Sequence, residues 1–413
     1  GTTAQRNKPI KKEWWDTETK QIHFKPNDAL QRTDNEIYHF LLPDKNMVPS
    51  AGIKLLKNEF DTEAKYIRDW KSDFCAPING DEYQRLQKLS KAVDVLLEEH
   101  YKFQASINAQ TKTKGGFFGA YEDDEQGQLG LRSYDEKEQL AAQRNNTNAP
   151  YYKLKLIMDY WCALWFWDMR DAKELPTRQQ WYDDIEKIIN IDLSVLDEAE
   201  EVIEEDLLPK PTLKQASLFE EPANQYTLKS YRKDKSAALK KLGEALQSNP
   251  DSLFKNERSK IVNQLATNNH FFHYQLEFIE VFKERGGFDV AVGNPPWLKV
   301  TFEEKGLMSE VFPELEIRKT SAPQVRKLQQ SFLEVEKQKE AYFSEYIETE
   351  ASAVFMNAFQ NYPLLKGQQT NLYKCILENG FQWISKNGFL GLINHERIYD
   401  DPKGQSLRKE VYS

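Results

Sequence analysis

Leu86, Leu89, Val93, Leu96 and Leu97 recur at three- and four-residue steps, which predicts an amphipathic helix over residues 81–104, with Asp81 as its N-cap. A different pattern starts at Pro150. Residues 150–170, PYYKLKLIMDYWCALWFWDMR, are apolar nearly all round, as in a helix buried on every side. With Asp159 and Asp168 inside it, this segment is too short and too charged to span a bilayer. Residues 194–206 read as an acidic helix with a solvated face, 207–235 as a linker of prolines, serines and mixed charge, and 236–266 as helix again. Residues 1–50 read as irregular around a short apolar patch, Ile37 to Leu42. Up to about residue 266 the expected structure is mostly helical.

The pattern then changes. Residues 271–282 are aromatic and β-prone, and Gly286 and Gly287 make a turn. Phe288 to Val292 form a short strand interrupted only by Asp289, the pattern of a strand buried in a sheet. Residues 301–369 return to helices with charged faces. Asn371 to Lys386 read as an amphipathic helix, with Leu372, Tyr373, Ile376, Leu377, Phe381 and Ile384 inward and Asn387-Gly388 stopping it in an αL cap. Phe389 to Ile393 make a second short strand. Strand, helix and strand joined by a short turn is the unit of a doubly wound α/β sheet. The division this gives is a mixed segment at 1–80, a helical insertion or spacer at 81–266 and an α/β part at 267–413, itself carrying a helical insertion at 301–369.

The length of 413 residues suggests two or three domains at roughly 150 residues each. No apolar run reaches the about 18 residues of a membrane span, and the opening GTTAQRNKPIKKEWW has no signal-peptide core. Cys75, Cys162 and Cys375 are too few and too scattered for a disulfide framework or a zinc site, so the latter two read as inert thiols. The six histidines show no metal-ligand spacing, and no metal is expected. The net charge of -9 and pI near 5.5 exclude a uniformly basic nucleic-acid binder: either charge is segregated or another part of the protein supplies phosphate contacts. The glycine cluster in residues 111–132 lacks the preceding strand and the following GK[ST] of a phosphate loop. Pro43-Asp44 with Glu63-Ala64-Lys65 echoes a metal-dependent nuclease pattern, but the Glu and Lys fall on a helical segment where that chemistry needs a strand.

The chemistry concentrates in GGFDVAVGNPPWLKV, residues 286–300. Ligands of open α/β sheets bind outside the carboxyl ends of strands, where Asn294 falls. Pro295 and Pro296 fix two φ angles and donate no N–H, leaving a stiff extended corner that offers the Asn294 side-chain oxygen and the Pro295 carbonyl as acceptors. Two convergent acceptors suit an aromatic –NH2 group, whose lone pair they localise for attack on an electrophilic methyl. Trp297 offers a stacking face, and Gly293 permits close approach. A turn that merely ends a strand and caps a core is the plain alternative. His395, just past the second strand, falls at the mouth of the expected pocket and is a candidate pocket-lining residue.

A [D/N/S]-P-P-[Y/F/W] run after a strand is the catalytic motif of amino-methyltransferases, and GFDVAVGNPPW resembles that of N6-adenine DNA methyltransferases. NLYKCILENGFQWISKNGFLGLI, residues 371–393, resembles the next block of that family, in the right order. NEIYHFLLPDKNMVPSAG and YYKLKLIMDYWCALWFW resemble large, type IIG-like methylase subunits of bacterial restriction–modification and phage-defence systems. The resemblance implies a partial Rossmann-like class I methyltransferase sheet with large, mostly α-helical insertions. It implies S-adenosyl-L-methionine as cofactor and double-stranded DNA with a flipped adenine as substrate, other restriction or defence subunits as partners, and a cytoplasmic bacterial setting without a membrane. On that basis Asn294, Pro295, Pro296 and Trp297 are catalytic, Trp297 and Gly293 also contact the substrate, and Asn371 and Tyr373 lie near the cofactor. The glycine-rich cofactor loop and acidic partner of that family are not found upstream of Asn294, and no target-recognition domain follows the second block. The expectation is therefore an internal piece of a longer protein, with the cofactor half before Gly1 and the DNA reader after Ser413, inactive by itself. Methylation of protein glutamine or RNA, and a non-catalytic helical scaffold, are the rival readings.

Overall fold

The computed structural model describes residues 36–49, 52–111, 134–146, 148–189, 256–317, 320–368 and 371–412. The glycine cluster beyond residue 111, the acidic helix at 194–206 and the linker at 207–235 lie outside the described residues.

Helices dominate what is described. After a 3-10 turn at His39–Leu41 come α1 (Lys54–Glu59), α2 (Asp61–Phe74) and the long α3 (Gly80–Thr111). Then follow α4 (Tyr134–Ala142), α5 (Pro150–Phe166), α6 (Arg178–Ile189) and α7 (Glu257–Asn268). The predicted stripe on α3 is buried throughout. Its cap is two residues earlier than expected: the Asn79 side chain accepts the Glu82 N–H at 2.8 Å while Glu82 accepts the Asn79 N–H at 3.1 Å. This reciprocal capping box leaves Asp81 in the first turn, where its charge suits the helix dipole. Pro150 opens α5, its missing N–H costing nothing there. Around α5 the rings of Tyr160, Trp165, Trp167, Trp181 and Tyr182 are fully enclosed, in one apolar core that runs from Tyr38 to Ala358. Each such side chain contributes about 1.5–3 kcal/mol of burial. Glu63 and Lys65 lie on helical α2, as the rejection of a nuclease strand required.

Residues 271–282, read from composition as β-prone, fold instead into α8 (Tyr274–Glu277) and the start of α9 (Ile279–Arg285). Tertiary anchoring overrides the aromatic propensity. The carbonyl of Leu276 meets His100 Nε2 at 3.0 Å, His273 Nε2 lies 2.8 Å from Asp159 Oδ1, Lys283 Nζ lies 2.9 Å from Glu98, and the Tyr151 hydroxyl donates to Glu277. These contacts bolt α8 and α9 to α3 and α5. Gly286 ends α9 at φ 76°, and Gly287 follows at φ 143°. A Cβ on Gly287 would lie 2.6 Å from the Trp383 carbonyl oxygen, so the tight launch of the next strand requires glycine.

That strand is β1 (Phe288–Gly293). Beyond it lie α10 (Glu304–Ser309), α11 (Glu314–Ile317), α12 (Ala322–Leu333), α13 (Glu336–Asn357), a 3-10 turn at Pro363–Leu365, α14 (Leu372–Trp383), β2 (Ile384–Leu392), α15 (Arg397–Asp400) and α16 (Gln405–Val411). β1 and β2 pair in parallel, the expected α/β unit. The expected αL stop at Asn387-Gly388 is not formed. α14 ends at Trp383, and residues 387–388 lie inside β2, where two steps of β1 between Phe288 and Val290 face five of β2 between Ile384 and Phe389. The excess is taken up as an irregularity of the ladder.

The expectation that residues 288–292 are buried also fails. One sheet face, with Leu390 and Leu392, packs on α14 over a second apolar cluster that includes Tyr373, Leu377 and Leu407. The other carries Val290, Val292 and Phe389, which are 59 %, 78 % and 74 % exposed. Parallel strands are normally covered on both faces. The apolar alternation of β1 is suited to such a covered sheet, and among the described residues nothing covers it. No helix of the described residues is long and apolar enough to cross a membrane.

Candidate functional site

Three backbone and side-chain ties fix the corner that follows β1. The Ile393 N–H donates to the Gly293 carbonyl at 3.0 Å and continues the ladder one residue past β2. The Trp297 indole N–H donates to the Ile393 carbonyl at 3.2 Å. The Leu372 N–H, at the first turn of α14, donates to the Leu298 carbonyl at 3.0 Å. The corner is thus held between the end of β2 and the start of α14, the two elements that the second sequence block supplies. Among the described residues there is no cis peptide, so both prolines are trans.

Within this frame Asn294 is exposed, and its side chain makes no hydrogen bond to any described residue. Pro295 is buried, Pro296 is exposed, and Trp297 is 50 % exposed. The plain alternative, a turn capping a core, would enclose the Trp ring; here half of it stays open. Gly293 has room on the protein side, since a Cβ there would make only an ordinary 3.6 Å contact with Leu392.

The structure also brings together residues that are far apart in sequence. The His395 ring meets Trp297 edge-on at 5.8 Å and stacks on Tyr373 at 6.4 Å. His395 Nδ1 accepts the Arg397 N–H at 3.1 Å, which orients the ring and puts the proton of neutral imidazole on Nε2. Asn371 caps α14, its side-chain oxygen accepting the Tyr373 N–H at 3.4 Å. Tyr373 is buried, and burial raises its hydroxyl above the usual range, so it stays protonated. Trp297, His395 and Tyr373 therefore form an aromatic row from solvent to core, edge-on at its outer contact and stacked at its inner one.

Sequence reading missed two buried polar side chains on α14, Lys374 and Glu378. Lys374 is buried on α14 and bonds Gln368 at 2.8 Å and Asp401 at 2.5 Å; the pairing holds the Asp401 carboxyl below its ordinary range. Glu378, one turn on, accepts the Leu364 N–H at 3.0 Å through one oxygen, while the other has no partner. Two charged residues four apart on the inward side of an amphipathic helix were the available signal. Burial pushes the Glu378 carboxyl from 4.5 up to about 7. A carboxyl raised on folding is fully compatible with the fold below its unfolded value, and that stability is lost as pH rises through the folded value. Glu378 should therefore cost about 3 kcal/mol by pH 8 relative to pH 4.5. Urea unfolding at pH 5 and pH 8 checks this: Glu378→Gln should flatten the difference, and an unchanged pH dependence would contradict the assignment.

Among the described residues no group of His, Cys, Asp and Glu could hold a metal ion, and no glycine-rich strand-to-helix turn is present to cradle a nucleotide cofactor. Cys162 and Cys375 are desolvated, the latter thiol pushed up to about 12, so neither offers a thiolate at neutral pH.

The family model of the Eco57I restriction-modification methylase matches residues 153–411. The match begins within α5 and ends in α16, so it takes in the corner, both strands and part of the helical block that anchors them. No match was found among curated proteins or solved structures.

Proposed function

The chain belongs to the Eco57I restriction-modification methylase family, and from that premise we propose that it carries the amine-gripping part of an adenine-specific DNA methyltransferase. The observation that carries this reading is Asn294: an exposed amide, without a hydrogen bond to any described residue, at the carboxyl end of a parallel strand beside a half-open tryptophan. In this reading S-adenosyl-L-methionine, when bound, supplies the methyl group as an electrophilic sulfonium carbon. The chain's own residues do the rest. The Asn294 oxygen and the Pro295 carbonyl accept the two hydrogens of the adenine N6 amine, so its lone pair localises on nitrogen and points away from the ring. As the N–C bond forms and the methyl–sulfur bond breaks, the positive charge that develops on that nitrogen would meet these fixed acceptor dipoles, and its surplus proton would pass to solvent without a strong base. Trp297 stacks on the flipped base, its ring held in place by Ile393 and His395.

The catalytic half of a Rossmann-like class I domain is then residues 267–413, with 81–266 the helical insertion and 1–80 a mixed segment. The open sheet face at Val290, Val292 and Phe389 would receive the cofactor-binding layers, and Asn371 and Tyr373 would border that cofactor, with Tyr373 stacked on His395. Double-stranded DNA is the substrate, with other restriction or phage-defence subunits acting on it in the bacterial cytoplasm.

The test is to incubate the full-length protein with methyl-labelled S-adenosyl-L-methionine and mixed-sequence duplex DNA, then identify the labelled base by mass spectrometry. N6-methyladenine is expected; label confined to cytosine, to RNA or to protein glutamine would overturn the substrate. Trp297→Ala should weaken capture of the flipped base by about tenfold or more, the value of one lost stacking partner. With 2-aminopurine at the target position the fluorescence rise on binding should shrink accordingly, and an undiminished rise would remove Trp297 from the role.

A further inference from the structure

Past the corner the chain borders a cleft of about 500 Å³ between the segment after Trp297 and the later turns of α13. Its volume suits a small organic ligand. Polar side chains converge on it: Asn46, Lys299, Thr301, Glu350, Asn357 and Gln368. Gln368 is already committed, donating to the Leu364 carbonyl and accepting from Lys374, and so forms a fixed wall. Glu350 is different. It is half-buried and has no hydrogen bond or ion pair to any described residue, and desolvation alone raises its carboxyl above the ordinary range. Asn357 uses its amide N–H on Ala353 and keeps its oxygen. Lys299 is exposed and makes no ion pair with a described residue. A partly desolvated carboxylate without a donor is costly unless a ligand brings one. The cleft therefore presents acceptors within and one cation at its rim.

Lys299 stands two residues after Trp297, within about 7.6 Å of backbone. That is about the reach from one nucleotide of a strand to the next. We propose that this cleft binds the nucleotide adjacent to the target adenine and selects an amino-bearing base there, with Glu350 accepting from the exocyclic amine and Lys299 pairing with the phosphate. This rests on the DNA reading of the corner. A carboxylate oxygen accepts from cytosine N4 but meets only an oxygen at the same position of uracil. Phosphate contact by Lys299 adds affinity without base preference.

The test uses fluorescence anisotropy of the full-length protein with two labelled single strands, each holding one adenine, flanked on both sides by cytosine in one and by uracil in the other. The cytosine strand should bind about tenfold tighter, the scale of one charge-assisted hydrogen bond. Glu350→Ala should erase that preference, and Glu350→Gln, which keeps a carbonyl acceptor, should retain part of it. Lys299→Ala should weaken both strands equally and lower the salt slope by about 0.7. Equal affinity of the unaltered protein for the two strands, or a preference that survives Glu350→Ala, overturns the inference. Cytidine monophosphate that displaces the cytosine strand, with binding insensitive to Trp297→Ala, assigns the cleft to a free nucleotide and overturns the strand-borne source. If Glu350→Ala has its effect while Trp297→Ala leaves both strands unaffected, the reading of the corner fails instead.

Discussion

Asn294→Ala should lower kcat for methyl transfer by about 10²–10³-fold, the usual cost of removing one preorganised polar group from a site where charge develops. The fold should not change. The Asn294 side chain is exposed and makes no hydrogen bond to a described residue, so its truncation leaves no buried partner stranded. Substitutions of that kind fall within about 0.5 kcal/mol in stability. The loss should appear in kcat more than in KM, because on the proposed reading Trp297 would still stack on the base and the amide would matter most once the nitrogen begins to attack. Asn294→Asp keeps an acceptor oxygen at the same reach and should retain part of the activity. The measurement is single-turnover methyl transfer by the full-length protein, alongside its thermal midpoint. Near-normal transfer by Asn294→Ala would sink the amine-gripping corner, whatever becomes of the rest.

The place of the corner at the end of β1 was legible because it is set locally. Two prolines and a strand end determine where acceptors go within a few residues, and the parallel pairing of β1 with β2 followed from strand, helix and strand in succession. The helical block was legible for the same reason: α3 and α5 announce their burial by period and by composition. What sequence could not supply depends on distant partners. Residues 271–282 carry β-forming aromatics but fold as helix because His100, Asp159 and Glu98, more than a hundred residues upstream, hold their carbonyls and side chains. Neither His395 nor Tyr373 signals by itself that the two stack beneath Trp297. The stop of α14 was misplaced because Asn387-Gly388, a good helix terminator in isolation, is drawn into a strand by its parallel neighbour.

The same long-range logic makes Asp184 the position where a single change should unfold the most. Asp184 on α6 is 1 % exposed; its Oδ2 accepts from Arg258 of α7, with Nε at 3.0 Å and a terminal nitrogen at 2.9 Å, and from the Tyr160 hydroxyl of α5 at 3.2 Å. One carboxylate thus joins three helices, and α5 also ties down the segment that launches β1, through Asp159 to His273 and Tyr151 to Glu277. Asp184→Ala would leave the Arg258 guanidinium poorly solvated and without its counter-charge, and would open a void beneath Tyr160. Breaking a buried pair from one side costs about 3–5 kcal/mol. Asp184→Asn, which keeps an acceptor but not the charge, should cost less. Replacing both partners, Asp184→Leu with Arg258→Met, should recover much of the loss, since the penalty lies in the stranded charge rather than in the pair's absence. Urea midpoints of the four proteins decide it. The ordering should be native, then the double variant, then Asn, then Ala or close to it; an Ala variant within about 1 kcal/mol of the native protein would show that the network is ornamental. Methyl transfer per folded molecule should stay unchanged in all four, because Asp184 reaches the site only by keeping the platform under β1 in place.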